Sequence, residues 1–507
     1  MTAINTPPLS TGSRVVTGAG WMVAWRMVSR MLGFISMLIL AVLLTPADFG
    51  IVAMATAVTG AIEGLSQLGV RDALVRLKDE RQDYYDTAFT FQVGRALLTA
   101  SLIAGLSLFA SSLLGEPRLR DILLILAALT VATGCENIGI VSFSRALDFR
   151  TQFFMQIAPR LLGFMITTAF AFLLHSYWAL IAGAAVAKLS SVAISYVASP
   201  HRPRFGLAGW RYLLHFSFWS WAGGLALMVL SRADPFLLGP VLGTAAFGLY
   251  VLSSEVASLP VTEFLEPACT ALFPGFSLVH RGGSEPVAMG LSVAGALALC
   301  TIPFSVGISA CSGYMVAGLL GPQWDAARPL IATLAWTCMF LPFSWVAVTV
   351  LSAQGQVRRV FASHAIAAVL KVCGILAVRH TQDLALISSA VVAIIAMESV
   401  MFVWQLRAAG NRELRSLLTT LLRAAFSLAA TCALLSVVPG TWAHVDLTRG
   451  YALLAGGAVG GLTFAVFFAC QAALWILSGR PASAESRIAG LLKYDPRVRR
   501  VLQAWHG

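Results

Sequence analysis

The chain has 507 residues, 58% hydrophobic and 11% charged, with a formal net charge of +12 and a mean hydropathy of +0.80. Soluble domains run at about 45–50% apolar and about 25% charged, so a soluble enzyme or a string of soluble domains is excluded. The eight cysteines and eight histidines form no CxxC pair and no ligand spacing, which predicts no metal and no cofactor.

A spanning helix needs about 20 apolar residues. Fourteen apolar segments are read in chain order: 19–44, 49–70, 87–114, 120–142, 152–174, 177–199, 213–239, 245–268, 287–311, 327–352, 358–379, 383–406, 417–438 and 450–478. Barrel strands would alternate over about ten residues, and these runs are far longer, so the expected fold is all-α and integral to a membrane. The first run exceeds the apolar core of a signal peptide, about 7–15 residues, and is expected to remain as the first spanning helix.

Lys and Arg counts orient the chain. With the N-terminus inside, the inside loops carry Arg71, Arg76, Lys78, Arg81, Arg145, Arg150, Arg202, Arg204, Arg211, Arg281, Arg358, Arg359, Arg407, Arg412 and Arg415. The tail adds Arg480, Arg487, Lys493, Arg497, Arg499 and Arg500, whereas the outside loops hold Arg118, Arg120, Arg328, Arg379 and Arg449. A bias of about four to one places both termini in the cytoplasm. It also accounts for the positive charge without nucleic acid. In the tail, Val498, Val501, Leu502 and Trp505 recur at helical spacing among arginines, as in a helix lying on a membrane surface; a solvated basic tail is the other reading.

An internal repeat divides the chain. Leu43-Leu44-x-Pro46 matches Leu237-Leu238-x-Pro240 at an offset of 194, which Trp25 and Trp219 share. After a four-residue insertion, Phe49-Gly50 matches Phe247-Gly248. Each copy reads as a long helix ending at a Pro-containing turn, with Phe-Gly opening the next helix. The expected organisation is a cytoplasmic N-terminus (1–18), an N-lobe of six spans (19–199), a cytoplasmic linker (200–212), a C-lobe of six spans (213–406), two further spans (407–478) and a basic cytoplasmic tail (479–507). Six helices per half make the lobes parallel repeats about an axis along the membrane normal, the plan of carriers that rock around a midplane site.

A charge at the bilayer centre costs about 2.5–3.5 kcal/mol or more, so intramembrane charges mark pathways by default. Arg26 and Arg30 lie four apart, on one face of the first segment. Arg95, expected near the inner end of the third segment, Arg160, Lys188, Arg232 and Lys371 follow. Each could instead pair with an acid or snorkel to an interface. The acids are Glu63, Glu136, Asp234, Glu255, Glu263, Glu266 and Glu398. Pro235 disfavours helical geometry at Asp234, so the helix is expected to loosen there and let Asp234 meet Arg232. Pro260, Pro267 and Pro274 recur every seven residues and predict a bent helix. Trp21, Trp25, Trp219 and Trp221 read as interface anchors or as platforms for sugar rings.

"LLTPADFGIVAMA", "LSQLGVRDALVRLKD" and "YYDTAFTFQVGRALL", then "SRADPFLLGPVLGTAAFGLYVLSSEVASLP", "LFPGFSLV" and "VAGLLGPQWDAARPLIATLA" resemble, in order and spacing, bacterial polysaccharide-biosynthesis flippases of the multidrug/oligosaccharidyl-lipid/polysaccharide exporter superfamily. The resemblance covers roughly residues 15–410. It implies a two-lobed bundle around a cationic cavity and an undecaprenyl-diphosphate-linked oligosaccharide as cargo. The cargo would cross from the inner to the outer leaflet of the bacterial cytoplasmic membrane for exopolysaccharide, capsule or O-antigen synthesis. Polysaccharide polymerase and export machinery would be further partners. A diphosphate calls for cations that keep their charge and hold two oxygens at once, which arginine does. Arg26, Arg30, Arg95 and Arg232 are the substrate-binding candidates, and Asp234 and Glu255 the coupling candidates. A drug or metabolite antiporter of the same superfamily is the alternative, disfavoured by so many arginines. A membrane polymerase or ligase would need a large outer loop, whereas the longest here is about a dozen residues, around Gly313–Arg328. The expectation is therefore a transporter and not an enzyme.

Overall fold

The computed structural model describes residues 11–66, 74, 82–109, 116–145, 148–208, 210–281, 286–381, 383–406, 411–438, 441, 448–481 and 485–486. Among these, all regular structure is helical. The tail pattern at Val498–Trp505 and the basic loop containing Arg71, Arg76, Lys78 and Arg81 lie outside the described residues.

Helix α1 (Thr11–Leu43) ends where Thr45 opens α2 (Pro46–Leu65). Thr45 and Asp48 cap each other reciprocally, and Pro46 takes the first turn, where its missing N–H costs nothing. Then come α3 (Gln82–Ser107), α4 (Leu119–Gly134), α5 (Phe149–Leu174) and α6 (Trp178–Ala198). Helix α4 is shorter than its apolar run. Asn137 breaks it, turning its side chain onto Gly139 N and starting a 3-10 turn and a short helix, Val141–Arg145.

The expected seventh and eighth segments are two helical stretches of α7 (Trp210–Pro260), joined end to end across a kink at the non-helical Gly243, φ 74° and ψ 169°. That backbone favours glycine, and the break is a kink instead of a loop. Asp234 and Pro235 lie inside regular helix, so the expected loosening before Pro235 is not there. A proline removes one backbone bond, and in an apolar setting the helix keeps the rest. Pro260 is followed by a π turn (Val261–Leu265) and then α8 (Glu266–Arg281), which is how the proline-marked stretch changes its helical register.

The remaining helices are α9 (Val287–Met315), α10 (Arg328–Leu334), α11 (Thr337–Ala353), α12 (Val357–Val378), α13 (Leu384–Gln405), α14 (Asn411–Leu435) and α15 (Arg449–Leu477). Eleven helices among the described residues are long and apolar enough to span a membrane, or twelve if α10 and α11, bent by 49°, form one span. Twelve falls short of fourteen at α4, which has 16 residues, and at α7, where one candidate span, Phe236–Ser277, is counted.

The chain divides into two compact units, Met1–Gly248 and Leu249–Gly507. In the first, α5 packs along α6, α3 along α4 and α1 along α5. In the second, Phe276, Leu291, Val346, Val350, Phe402 and Phe467 form one core, and α14 and α15 pack on α9. Large apolar side chains such as Leu173, Val197 and Leu454 point outward, as bilayer-facing helices require.

The two copies of the repeated turn meet inside the first unit. A Cβ added at Gly50 would run into the backbone of Thr244 and Gly248, and one at Gly248 into the backbone of Pro46 and Gly50. Gly239 lies over Met54. The Phe-Gly pairs matched in sequence therefore face each other at backbone contact.

Candidate functional site

Helix α6 carries Lys188, Ser191 and Ser195 at intervals that place them on one stripe, and Ser199 caps its end. Its other side is fixed by close packing on α5: Gly163 approaches Gly183 and Ala187, leaving no room for a side chain there. The stripe then faces α4 and α2. Ser191 Oγ donates to Glu136 Oε1 at 3.0 Å, and Ser195 Oγ accepts from Asn137 N at 3.0 Å. Lys188 Nζ lies 3.7 Å from Glu63 Oε1, the two side chains each 34% exposed. Thr130 Oγ1 donates to the same Glu63 oxygen at 3.0 Å.

One turn along α2, Ser66 extends the cluster to α3. Ser66 Oγ accepts from Thr99 Oγ1 at 2.9 Å and from Arg95 Nη1 at 3.4 Å. Gln92, one turn before Arg95, donates to Gly134 O and Glu136 O at 3.0 and 2.9 Å. Arg95 is near the middle of α3 and not near its end, because the helix begins at Gln82, several polar residues before the apolar run. Four helices thus bring Glu63, Arg95, Thr99, Thr130, Glu136 and Lys188 into one polar cluster. Unpaired polar groups are costly in an apolar interior, so this network has to satisfy itself.

On α1, Arg26 and Arg30 are both partly buried. Trp25 does not anchor alone: the Arg160 guanidinium lies over its ring, 5.4 Å from the centroid. Arg160 is exposed. The indole holds it by a cation–π contact and leaves its N–H edges available. Trp21 packs against Phe153 and Phe154, which sets α1 against α5.

The other sequence candidates lie on α7 and beyond. The Arg232 side chain lies outside the described residues. Asp234 is partly buried within α7, and Glu255 is exposed further along the same helix. Lys371 acts electrostatically on Glu398 across the α12/α13 contact. The sequence reading missed Glu63 and Lys188 as a pair, and Arg423–Glu485 in the second unit. The Lys-Ser-Ser stripe of α6 was the available signal for the first; nothing local signalled the second.

Residues 199–208 form a strap on the first unit. Arg204 N donates to Asp86 Oδ1 at 2.9 Å, Gly206 N to Thr90 Oγ1 at 2.9 Å and Asn137 Nδ2 to His201 O at 2.7 Å. The His201 and Phe205 rings rest on Tyr85 and Phe89. Burial pushes the His201 imidazole below its usual range, with Arg202 adding to the effect and Asp86 opposing it. On the loop before α4, the hydrogen bond from Arg118 holds the Glu116 carboxyl below the usual carboxylate range.

Residues 39–329 match the family described as "Polysaccharide biosynthesis protein". The chain belongs to this family. Among curated relatives, it is 27% identical over 334 residues to the succinoglycan biosynthesis transport protein ExoT of Rhizobium meliloti (strain 1021), covering 65% of this chain and 67% of that one. It is 21% identical over 337 residues to the lipopolysaccharide biosynthesis protein WzxC of Escherichia coli (strain K12), covering 64% and 67%. Among solved structures, the lipid II flippase MurJ in an inward closed conformation aligns with TM-score 0.70 at 12% identity, over 88% of this chain and 97% of its own. An inward-facing multidrug resistance transporter of the MATE family aligns with TM-score 0.57 at 14% identity, over 76% and 96%. At these identities the two structures speak to fold. Family and fold together make the chain a multi-pass helical membrane transporter of polysaccharide biosynthesis.

Proposed function

We propose that this transporter moves oligosaccharide units linked to undecaprenyl diphosphate from the inner to the outer leaflet of the bacterial cytoplasmic membrane, by alternating access. Both termini are cytoplasmic in this reading, as the Lys and Arg bias of the loops favours. The observation that carries the proposal is the set of cations on spanning helices of the first unit. Arg26 and Arg30 share a face of α1, Arg160 is stacked on Trp25, and Arg95 and Lys188 flank the end of α2. Such charges are costly in a bilayer and are kept where they meet an anion or water. Guanidinium groups match phosphate oxygens in pairs and do not lose their charge. An organic cation would be repelled by the same set. Arg26, Arg30, Arg95 and Arg232 remain the proposed substrate ligands, now joined by Arg160.

The test is a deletion strain. Lipid-linked repeat units should accumulate on the inner leaflet, and polymer should vanish from the cell surface, with the full chain restoring it. Normal surface polymer in a strain also lacking every redundant flippase would overturn the proposal.

A further inference from the structure

The Glu63–Lys188 contact is built differently from a structural ion pair. Its 3.7 Å separation is beyond hydrogen-bond reach, and each side chain is a third exposed. Glu63 also accepts from Thr130 Oγ1, so it keeps a partner when the ammonium moves away. Lysine presents a compact charge on a long flexible stem, so its ammonium can swing while α6 stays still. Arg95 is more firmly placed: it reaches Ser66, one turn from Glu63, and Thr99 braces the same hydroxyl. A movable ammonium, a braced guanidinium and a carboxylate therefore surround one end of α2. The remaining described charges on the helices packed there are Asp48 at the far end of α2, Asp83 and Asp86 at the start of α3, Arg120 and Asp121 at the far end of α4, Glu136 beyond it, and Arg150 and Arg160 on α5.

An anion that enters such a site competes with the carboxylate for the ammonium, because charges attract strongly where water is scarce. A carrier also needs release: a site of bare cations would hold a diphosphate too firmly to let it go, the balance that permeation sites strike generally. We propose that Glu63 holds Lys188 as an exchangeable counter-ion, surrendering it to a phosphate group of the cargo on entry and recovering it on release. This inference rests on the cargo reading above and assigns Lys188 as a further substrate ligand, with Glu63 as its internal competitor. No covalent bond changes; one ion pair is exchanged for another.

The experiment uses the full chain in lipid nanodiscs and farnesyl diphosphate as probe, with farnesol as the uncharged control. Removing the competitor, Glu63→Gln, should tighten farnesyl diphosphate binding about fivefold or more, within the usual range for coupled sites. Lys188→Met should weaken it. In the double variant the gain from Glu63→Gln should shrink to the relief of direct repulsion between carboxylate and diphosphate, because without the ammonium there is nothing to compete for. Glu63→Asp, which keeps the carboxylate, should bind like the wild type and serves if the glutamine variant does not fold. Unchanged or weaker binding by a folded Glu63→Gln, or a gain undiminished without Lys188, would overturn the exchange while leaving the cargo reading intact. Failure of the wild type to prefer farnesyl diphosphate over farnesol would overturn both.

Discussion

Two ion pairs in this chain use the same chemistry to opposite ends. In the second unit, Arg423 on α14 meets Glu485 beyond α15 at 2.7 Å, the side chains 10% and 7% exposed. Thr420 and Gln471 also donate to Glu485, and Ser427 donates to Gln471, so the network is closed. In the first unit, Glu63 and Lys188 stand 3.7 Å apart and a third exposed. A sealed pair has no freedom to respond to a ligand. A loose one has, and contributes little to stability. Arg160 differs from both: its guanidinium rests on the Trp25 ring and not on an acid.

The largest expected effect is at the sealed pair. Arg423→Ala strands the Glu485 carboxylate and should cost about 3–5 kcal/mol, read as a lowered melting temperature in detergent. Gly248→Val comes next. Its side chain would enter the backbone of Pro46 and Gly50, and overpacking of this kind costs about 1–3 kcal/mol. Glu63→Gln should change stability by no more than about 1 kcal/mol, as expected for an accessible pair. A loss there as large as that at Arg423 would erase the distinction between the two pairs.

The smallest effect concerns the strap. His201 has a lowered folded-state pKa, so the unfolded strap binds a proton first as pH falls through the ordinary value of 6.5. Its contribution to docking is full above that pH and is lost on acidification through the lowered folded value. Protection of residues 199–208 from hydrogen exchange, taken relative to the intrinsic rate at each pH, should fall below about pH 6.5 in the wild type and lose that pH dependence in His201→Phe.

The apolar runs made the helices legible because burial in lipid leaves an all-helical bundle as the answer. What they could not show was where helices stop for polar reasons. Asn137 ends α4 inside an apolar run by capping its own turn, and α3 begins in the polar stretch Gln82–Asp86, which puts Arg95 at mid-helix. The repeat was legible as two Phe-Gly pairs, but their backbone contact was not, since it depends on where Gly243 kinks α7. The arginines of α1 stood out because charge is rare there. Arg160's place on Trp25 and Lys188's place beside Glu63 depend on how α5 and α6 pack, which no local pattern encodes.

The most direct test is translocation by the purified full-length chain in proteoliposomes, following a fluorescent oligosaccharide on undecaprenyl diphosphate. The wild type should move it across the bilayer, and a folded Arg26→Gln/Arg30→Gln double variant should not, with Arg→Lys at both positions recovering part of the rate. Movement at the wild-type rate by the glutamine variant would contradict the claim that these interior cations carry the diphosphate.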